Sequence, residues 1–223
     1  MTMKTHQKQP DLLRNKRKAQ KRRNVLISAG IAFVVLILVF TAMILPKLFT
    51  SKPDYKSFPG FYLGDPSAPI SVVVFSNYSC GHCKVYSETL EKDIIADYVE
   101  KGYVYYRYVN LPYNNQQSRE AAEASYCAAE QNMFFSYKAL LYTYAAAADG
   151  FSTENLIKYA ELVGLNGDKF SACMESDAFA LAFNDDVSYA KSQKVPGTPT
   201  FLVNGELVTS NDLIATIEEF LVN

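Results

Sequence analysis

Apolar and polar positions fall into three regimes along this chain. From Val25 to Leu45, VLISAGIAFVVLILVFTAMIL runs 21 residues without a charged side chain, the pattern of an element that is apolar all round. Further on, the apolar, β-branched run Ile70-Ser71-Val72-Val73-Val74-Phe75 predicts a strand buried on both faces. Val85, Tyr86, Leu90, Ile94, Ile95, Tyr98 and Val99 then recur at three- and four-residue spacing, which predicts an amphipathic helix closed by Gly102. Tyr103–Val109 reads as the next strand, completing a βαβ unit. From about residue 116 to 194 the chain is alanine-rich, with helical spacing and no strand signal. Helices are predicted there over Arg119–Asn132, Met133–Ala148 and Thr153–Val163, the last capped by Ser152 and closed by Gly164. Asp168 is expected to cap a turn containing Cys173, and Asp177–Lys191 to form the last helix of the block. The strand signal returns at Thr200–Val203, an Asn204-Gly205 hairpin turn and Glu206–Val208, before a final helix through Phe220 capped by Ser210 or Asn211. This order predicts an α/β fold: a mixed sheet with helices on its faces and a helical insertion.

Length and charge turn that pattern into an organisation. The 223 residues accommodate an anchor and one well-cored domain. At 1.5 Å per residue, segment 25–45 would span about 30 Å of hydrocarbon, so it reads as a transmembrane helix. Nine Lys or Arg precede it against Asp11 alone, which places residues 1–24 in the cytoplasm and the rest outside. Residues 46–59 carry three prolines and read as a linker, leaving 60–223 as the folded domain. A cleaved signal peptide and a buried core helix are the alternatives for 25–45. The first would have a shorter apolar core of about 7–15 residues and a small-x-small site, which Leu45-Pro46-Lys47 does not offer. Beyond Leu45, 13 basic residues face 22 acidic ones, an argument against nucleic acid as a partner of the domain. The basic tail reads as topogenic charge, with an anionic lipid or nucleic-acid site as the alternative.

The candidate chemistry lies in Cys80-Gly81-His82-Cys83, where the first strand gives way to the first helix. A thiol exchanges disulfides as thiolate, and at a helix start Cys80 would face unsatisfied N–H groups and the positive end of the helix dipole. Cys83, one turn on, could attack a mixed disulfide formed at Cys80. His82 could add positive charge or a hydrogen bond, and stabilising the reduced form makes the disulfide more oxidising. The alternatives are a zinc half-site, for which His82 is badly placed beside both cysteines, and an inert structural bridge. No metal and no cofactor is expected. Cys127 and Cys173, 46 positions apart, read as a structural disulfide in an oxidising compartment or as two buried free thiols. Pro199 opens a strand, where an ordinary trans proline is tolerated.

Four landmarks in order resemble the DsbA-like branch of the thioredoxin superfamily over about Phe61 to Phe220. They are Leu63–Pro69; Val72–Phe75 running into Tyr78-Ser79-Cys80-Gly81-His82-Cys83-Lys84; Cys127-Ala128-Ala129-Glu130-Gln131; and Gly197-Thr198-Pro199-Thr200-Phe201. The resemblance implies a thioredoxin-like fold, Cys80 as nucleophile and Cys83 as resolving thiol. Thr198-Pro199 would be a cis-proline loop whose backbone holds an extended substrate chain. The dipeptide Gly81-His82 is similar to that of protein disulfide isomerase. An oxidase that introduces disulfides into exported proteins, itself re-oxidised by a membrane quinone-linked partner, is the implied function. A membrane-tethered reductase, or a non-catalytic binding or metal-handling module, is the alternative. The chain departs from the pattern at Asn77, where many relatives have an acidic residue.

Overall fold

The computed structural model describes residues 61–112, 116–176 and 179–222, together with the isolated positions 24 and 30. The expected tail, membrane span and linker therefore lie outside the described residues, and among those residues no helix is long and apolar enough to cross a membrane.

Five strands form one mixed sheet in the order β1-β3-β2-β4-β5. They are β1 (Tyr62–Leu63), β2 (Ile70–Ser76), β3 (Val104–Asn110), β4 (Thr200–Val203) and β5 (Glu206–Val208). β2 runs parallel to β3, pairing Val72 with Tyr106 and Phe75 with Val109, and antiparallel to β4. β1 closes one edge antiparallel to β3, and β5 the other antiparallel to β4. A parallel pair needs a long crossover, here supplied by α1 (Gly81–Glu88) and α2 (Leu90–Ile94). The insertion holds α3 (Gln116–Glu130), α4 (Phe134–Tyr144), α5 (Thr153–Leu162), α6 (Gly167–Glu175) and α7 (Ala180–Ser192), and α8 (Leu213–Val222) ends the chain.

The β2 pattern sorts its side chains to two cores, because successive residues point to opposite faces. Val72 and Val74 join the main core with residues of α1, α3, α4, α5, α6 and α8. Val73 and Phe75 join a smaller one with Val109, Leu202 and Ala190 of α7. A buried ion pair and a partly buried one tie the insertion to this frame. Lys138 of α4 bonds Glu91 of α2, and Glu91 also accepts from Ser87 at 2.8 Å and Tyr106 at 2.6 Å. Asp186 of α7 accepts from Arg107 at 3.1 Å, the Asn110 N–H at 3.1 Å and Tyr126 at 2.5 Å. Burial pushes the Asp186 carboxyl up to about 6 against the pull of Arg107.

Three local expectations need correction. The helix read from Val85 to Val99 is interrupted at Thr89, whose backbone leaves the helical region at φ -123° and ψ -93°, and it ends in a π-turn over Ile95–Val99. Asn166, not Asp168, caps α6: its Oδ1 accepts the Lys169 N–H at 2.9 Å, while Asp168 lies in the first turn, and a full helix rather than a turn carries Cys173. Before α8 the chain turns through Thr209–Asp212, where Thr209 Oγ1 donates to Asp212 Oδ2 at 2.7 Å and the Thr216 N–H reaches the Asp212 carbonyl at 2.9 Å. Asp212 thus stands where Ser210 or Asn211 was expected.

Candidate active site

β2 ends at Ser76, and the turn after it places the first cysteine. Asn77 Oδ1 accepts the Ser79 N–H at 2.8 Å and the Asn77 carbonyl accepts the Cys80 N–H at 3.1 Å. An asparagine that bonds its own backbone two residues on is a turn former, so Asn77 does local structural work at this position. Ser118 of α3 donates to Ser79 Oγ at 2.6 Å and fixes the turn from the side. Cys80 consequently falls at the N-cap of α1 with extended backbone, and its carbonyl accepts the Lys84 N–H at 3.1 Å.

Both thiols are free, Cys80 half-buried and Cys83 fully buried. Burial works against a Cys80 thiolate, but the backbone N–H of Cys83, the Cys83 thiol, the Thr198 side chain and the backbone N–H of His82 together outweigh it and hold the Cys80 thiol below the ordinary range. The Cys83 thiol is pushed up to about 11, chiefly by burial, against the pull of the Ser76 hydroxyl, the Asn77 N–H and the Thr198 side chain. The geometry therefore separates one half-exposed, ionisable sulfur from one hidden, protonated sulfur a turn away. His82 contributes its backbone N–H to this arrangement, while its side chain is exposed. Gly81 is exposed, and a Cβ there would meet nothing within 4 Å.

Thr198 and Pro199 approach from the far end of the chain. The peptide bond between them is cis, and the Cys80 thiol donates to the Thr198 carbonyl at 3.3 Å. His82, Val85, Tyr86, Leu90, Pro199 and Asn211 are among the residues lining an adjoining cleft of about 470 Å³. Val85 is 60% exposed there. The remaining cysteines are joined to each other: Cys127 of α3 and Cys173 of α6 form a disulfide with Cα atoms 5.8 Å apart. Among the described residues, no group of three His, Cys, Asp or Glu side chains is placed to hold a metal ion.

The sequence-level reading missed the polar groups beneath the site. Ser76 Oγ lies 2.7 Å from Tyr142 Oη, which lies 2.7 Å from Tyr108 Oη. All three residues are fully buried. Ser76 was legible only as the residue after an apolar strand read to Phe75, and Tyr142 only as one aromatic on a helix. A hydroxyl at the last position of a strand buried on both faces is the one signal that could have raised the question, because such a group needs a partner.

A family model described as thioredoxin matches residues 56–223. The probable disulfide bond formation protein D of Bacillus anthracis is 25% identical over 198 residues, covering 84% of this chain and 91% of that protein. The crystal structure of oxidised BdbD from Bacillus subtilis superposes with a TM-score of 0.68 at 24% identity, over 75% of this chain and 96% of that one. A Na(+)/H(+) antiporter of Salinispora tropica, NhaA 3, is 33% identical over 142 residues, which is 64% of this chain but only 21% of the antiporter.

Proposed function

This chain belongs to the thioredoxin family, in its DsbA-like group of thiol–disulfide oxidoreductases, and from that premise we propose that it introduces disulfides into exported proteins through Cys80 and Cys83. One observation carries the reading. The half-exposed sulfur is held toward thiolate at a helix N-terminus, while its partner one turn away is buried and held protonated.

The exchange follows from that asymmetry. A substrate thiolate attacks Cys80 Sγ of the oxidised pair; a bond forms between the substrate sulfur and Cys80, the Cys80–Cys83 bond breaks, and its electron pair goes to Cys83 Sγ. A second substrate thiolate attacks the substrate sulfur of the mixed disulfide, forming the substrate's own disulfide and releasing Cys80 as thiolate. The substrate is oxidised by two electrons and the enzyme pair reduced by two. Because the leaving Cys80 thiolate is stabilised, the reduced form is favoured and the disulfide is the stronger oxidant. The Thr198 carbonyl and the cis Pro199 beside Cys80 supply a backbone edge for an extended substrate segment, and the cleft around Val85 would take its apolar side chains.

The whole arrangement proposed here is a cytoplasmic tail over 1–24, a membrane anchor over 25–45, a linker over 46–59 and a catalytic domain over 60–223 outside the cytoplasm. A quinone-linked membrane protein re-oxidises Cys80 and Cys83, and the anchor keeps the domain near it. The similarity to the probable disulfide bond formation protein D of Bacillus anthracis, over nine tenths of that protein's length, supports the oxidising direction. The antiporter shares about a fifth of its length with this chain, and transport is no part of the proposal.

The test is the equilibrium of the Cys80/Cys83 pair with glutathione, read by mass shift after thiol alkylation of the full-length protein. A potential near about -120 to -180 mV is expected. A value near about -270 mV would make the protein a reductase, and no exchange at all would leave the cysteine pair structural. Cys80→Ser is expected to lose dithiol turnover down to the rate of buffer alone.

A further inference from the structure

Exchange at Cys80 drives charge onto a sulfur whose residue is shut off from the protein surface. When the Cys80–Cys83 bond breaks, the electron pair lands on Cys83 Sγ, which is fully buried. A buried anion without hydrogen bonds is costly enough to block the step. The side chain at Asn77 is an amide already occupied by the Ser79 N–H, so it brings no carboxyl to the sulfur. Three polar groups act on Cys83, the Ser76 hydroxyl, the Asn77 N–H and the Thr198 side chain, and of these Ser76 is the one backed by further buried hydroxyls, with its Oγ 2.7 Å from Tyr142 Oη.

We propose that Ser76, Tyr142 and Tyr108 form a hydroxyl string that solvates the Cys83 thiolate as it leaves or attacks, with Ser76 making the contact and the two tyrosines positioning it. In both tyrosine-containing links either oxygen can donate, so the string has no fixed polarity. With a thiolate at Cys83, Tyr108 donates to Tyr142, Tyr142 to Ser76, and Ser76 to the sulfur. Each hydroxyl then has an acceptor, and each bond polarises the next. With a protonated Cys83, Ser76 is free to turn its hydrogen toward Tyr142. The string stays hydrogen-bonded in both states of the sulfur and asks for no movement of the backbone. Its outer members are held firmly: Tyr142 and Tyr108 sit on α4 and β3, and the Lys138 ammonium lies 5.3 Å and 5.8 Å from the centres of the Tyr108 and Tyr142 rings.

This inference rests on the reading of Cys80 and Cys83 as a redox pair and goes beyond it by naming what lowers the barrier. Attack on the disulfide and its reverse share one transition state with charge on Cys83, so weakening the string slows both directions alike and leaves the equilibrium in place. The measurement uses the full-length protein with Cys80 held as a mixed disulfide with glutathione, and follows glutathione release by Cys83 at pH 7. Ser76→Ala is expected to slow release about tenfold or more, the loss of a hydrogen bond to a charged group. Tyr142→Phe keeps the ring and removes one hydroxyl, and is expected to slow it about threefold. In both variants the exchange equilibrium with glutathione and the alkylation rate of Cys80 should stay within about twofold of the parent. Release rates unchanged in both variants would overturn the proposal. So would slower release accompanied by an equally shifted equilibrium and altered Cys80 alkylation, which is the mark of a merely structural role. Failure of the parent protein to exchange with glutathione at all would instead remove the redox reading itself.

Discussion

The molecule holds two cysteine pairs that share a residue type and differ in almost everything else. Each has one buried member and one partly exposed member, Cys83 with Cys80 and Cys127 with Cys173. Exposure therefore does not separate them; position along a helix does. Cys80 is the N-cap of α1, where backbone N–H groups have no carbonyl partner within the helix and can turn toward sulfur. Cys127 and Cys173 lie inside α3 and α6, helices in which backbone N–H groups are consumed by the ladder. A sulfur at a helix start becomes a stabilised leaving group; a sulfur in a helix interior is only a point of attachment. The first pair spans one turn and constrains little, whereas the second closes 46 positions of the insertion.

The sharpest way to test that contrast is to remove the second pair. On the chain-entropy account a loop of that length stabilises the fold by about 4 kcal/mol. Cys127→Ala with Cys173→Ala is expected to cost about that much in a urea unfolding titration. The folded fraction should keep its glutathione exchange equilibrium within about twofold. A large loss of exchange with little loss of stability would reverse the assignment of the two pairs.

How far this division could be read in advance depended on range. β2 through β5, the hairpin at Asn204-Gly205 and the placing of Cys80-Gly81-His82-Cys83 at a strand-to-helix junction follow from apolar spacing and turn residues within about ten positions of one another. The cap at Asn166 turns on a single side-chain bond and the interruption at Thr89 on one residue's backbone conformation, neither of which spacing encodes. The pairing of Cys127 with Cys173 remained one of two readings, because it depends on how α3 and α6 lie together. The Ser76, Tyr142 and Tyr108 contacts join β2, α4 and β3 across as many as 66 positions, and no local pattern announces them. The buried partners Lys138 and Glu91 are a similar case: Lys138 sits in the apolar stretch Phe134–Tyr144, where a lone charge only signals that some partner must exist.

A smaller effect separates the two thiols of the first pair through pH. Cys80 is held below the ordinary thiol range when folded, so its contribution to the stability of the reduced protein is complete above the unfolded pKa and is lost as pH falls through the folded one. Cys83 moves the other way. Its thiol is raised to about 11, so the unfolded chain releases that proton first and the reduced fold weakens as pH rises from the unfolded value toward 11. The unfolding free energy of the reduced form, measured relative to the oxidised form in which neither sulfur titrates, should therefore rise with pH, peak near the ordinary thiol value of about 8.5 and then fall. The falling limb amounts to about 3 kcal/mol at 1.36 kcal/mol per unit. A monotonic rise through pH 10 would mean that Cys83 ionises as an ordinary thiol and that the asymmetry of the pair is absent.

The smallest expected effect tests whether the helix end, rather than the residue between the thiols, distinguishes Cys80 from Cys127. Gly81 opens α1, is exposed, and has open space where a Cβ would stand. It also lacks the positive φ that would require glycine, unlike Gly64 and Gly102. Alanine there should leave the N–H groups of His82 and Cys83 where they are, and those groups act on the Cys80 sulfur. Gly81→Ala is accordingly expected to change the glutathione equilibrium and the Cys80 alkylation rate by less than about threefold. Its urea midpoint should rise slightly, since alanine in a helix is favoured over glycine by up to about 1 kcal/mol. A shift beyond tenfold in the equilibrium would show instead that the freedom of the glycine backbone sets the redox poise, and the distinction drawn from helix position would then hold for reactivity but not for potential.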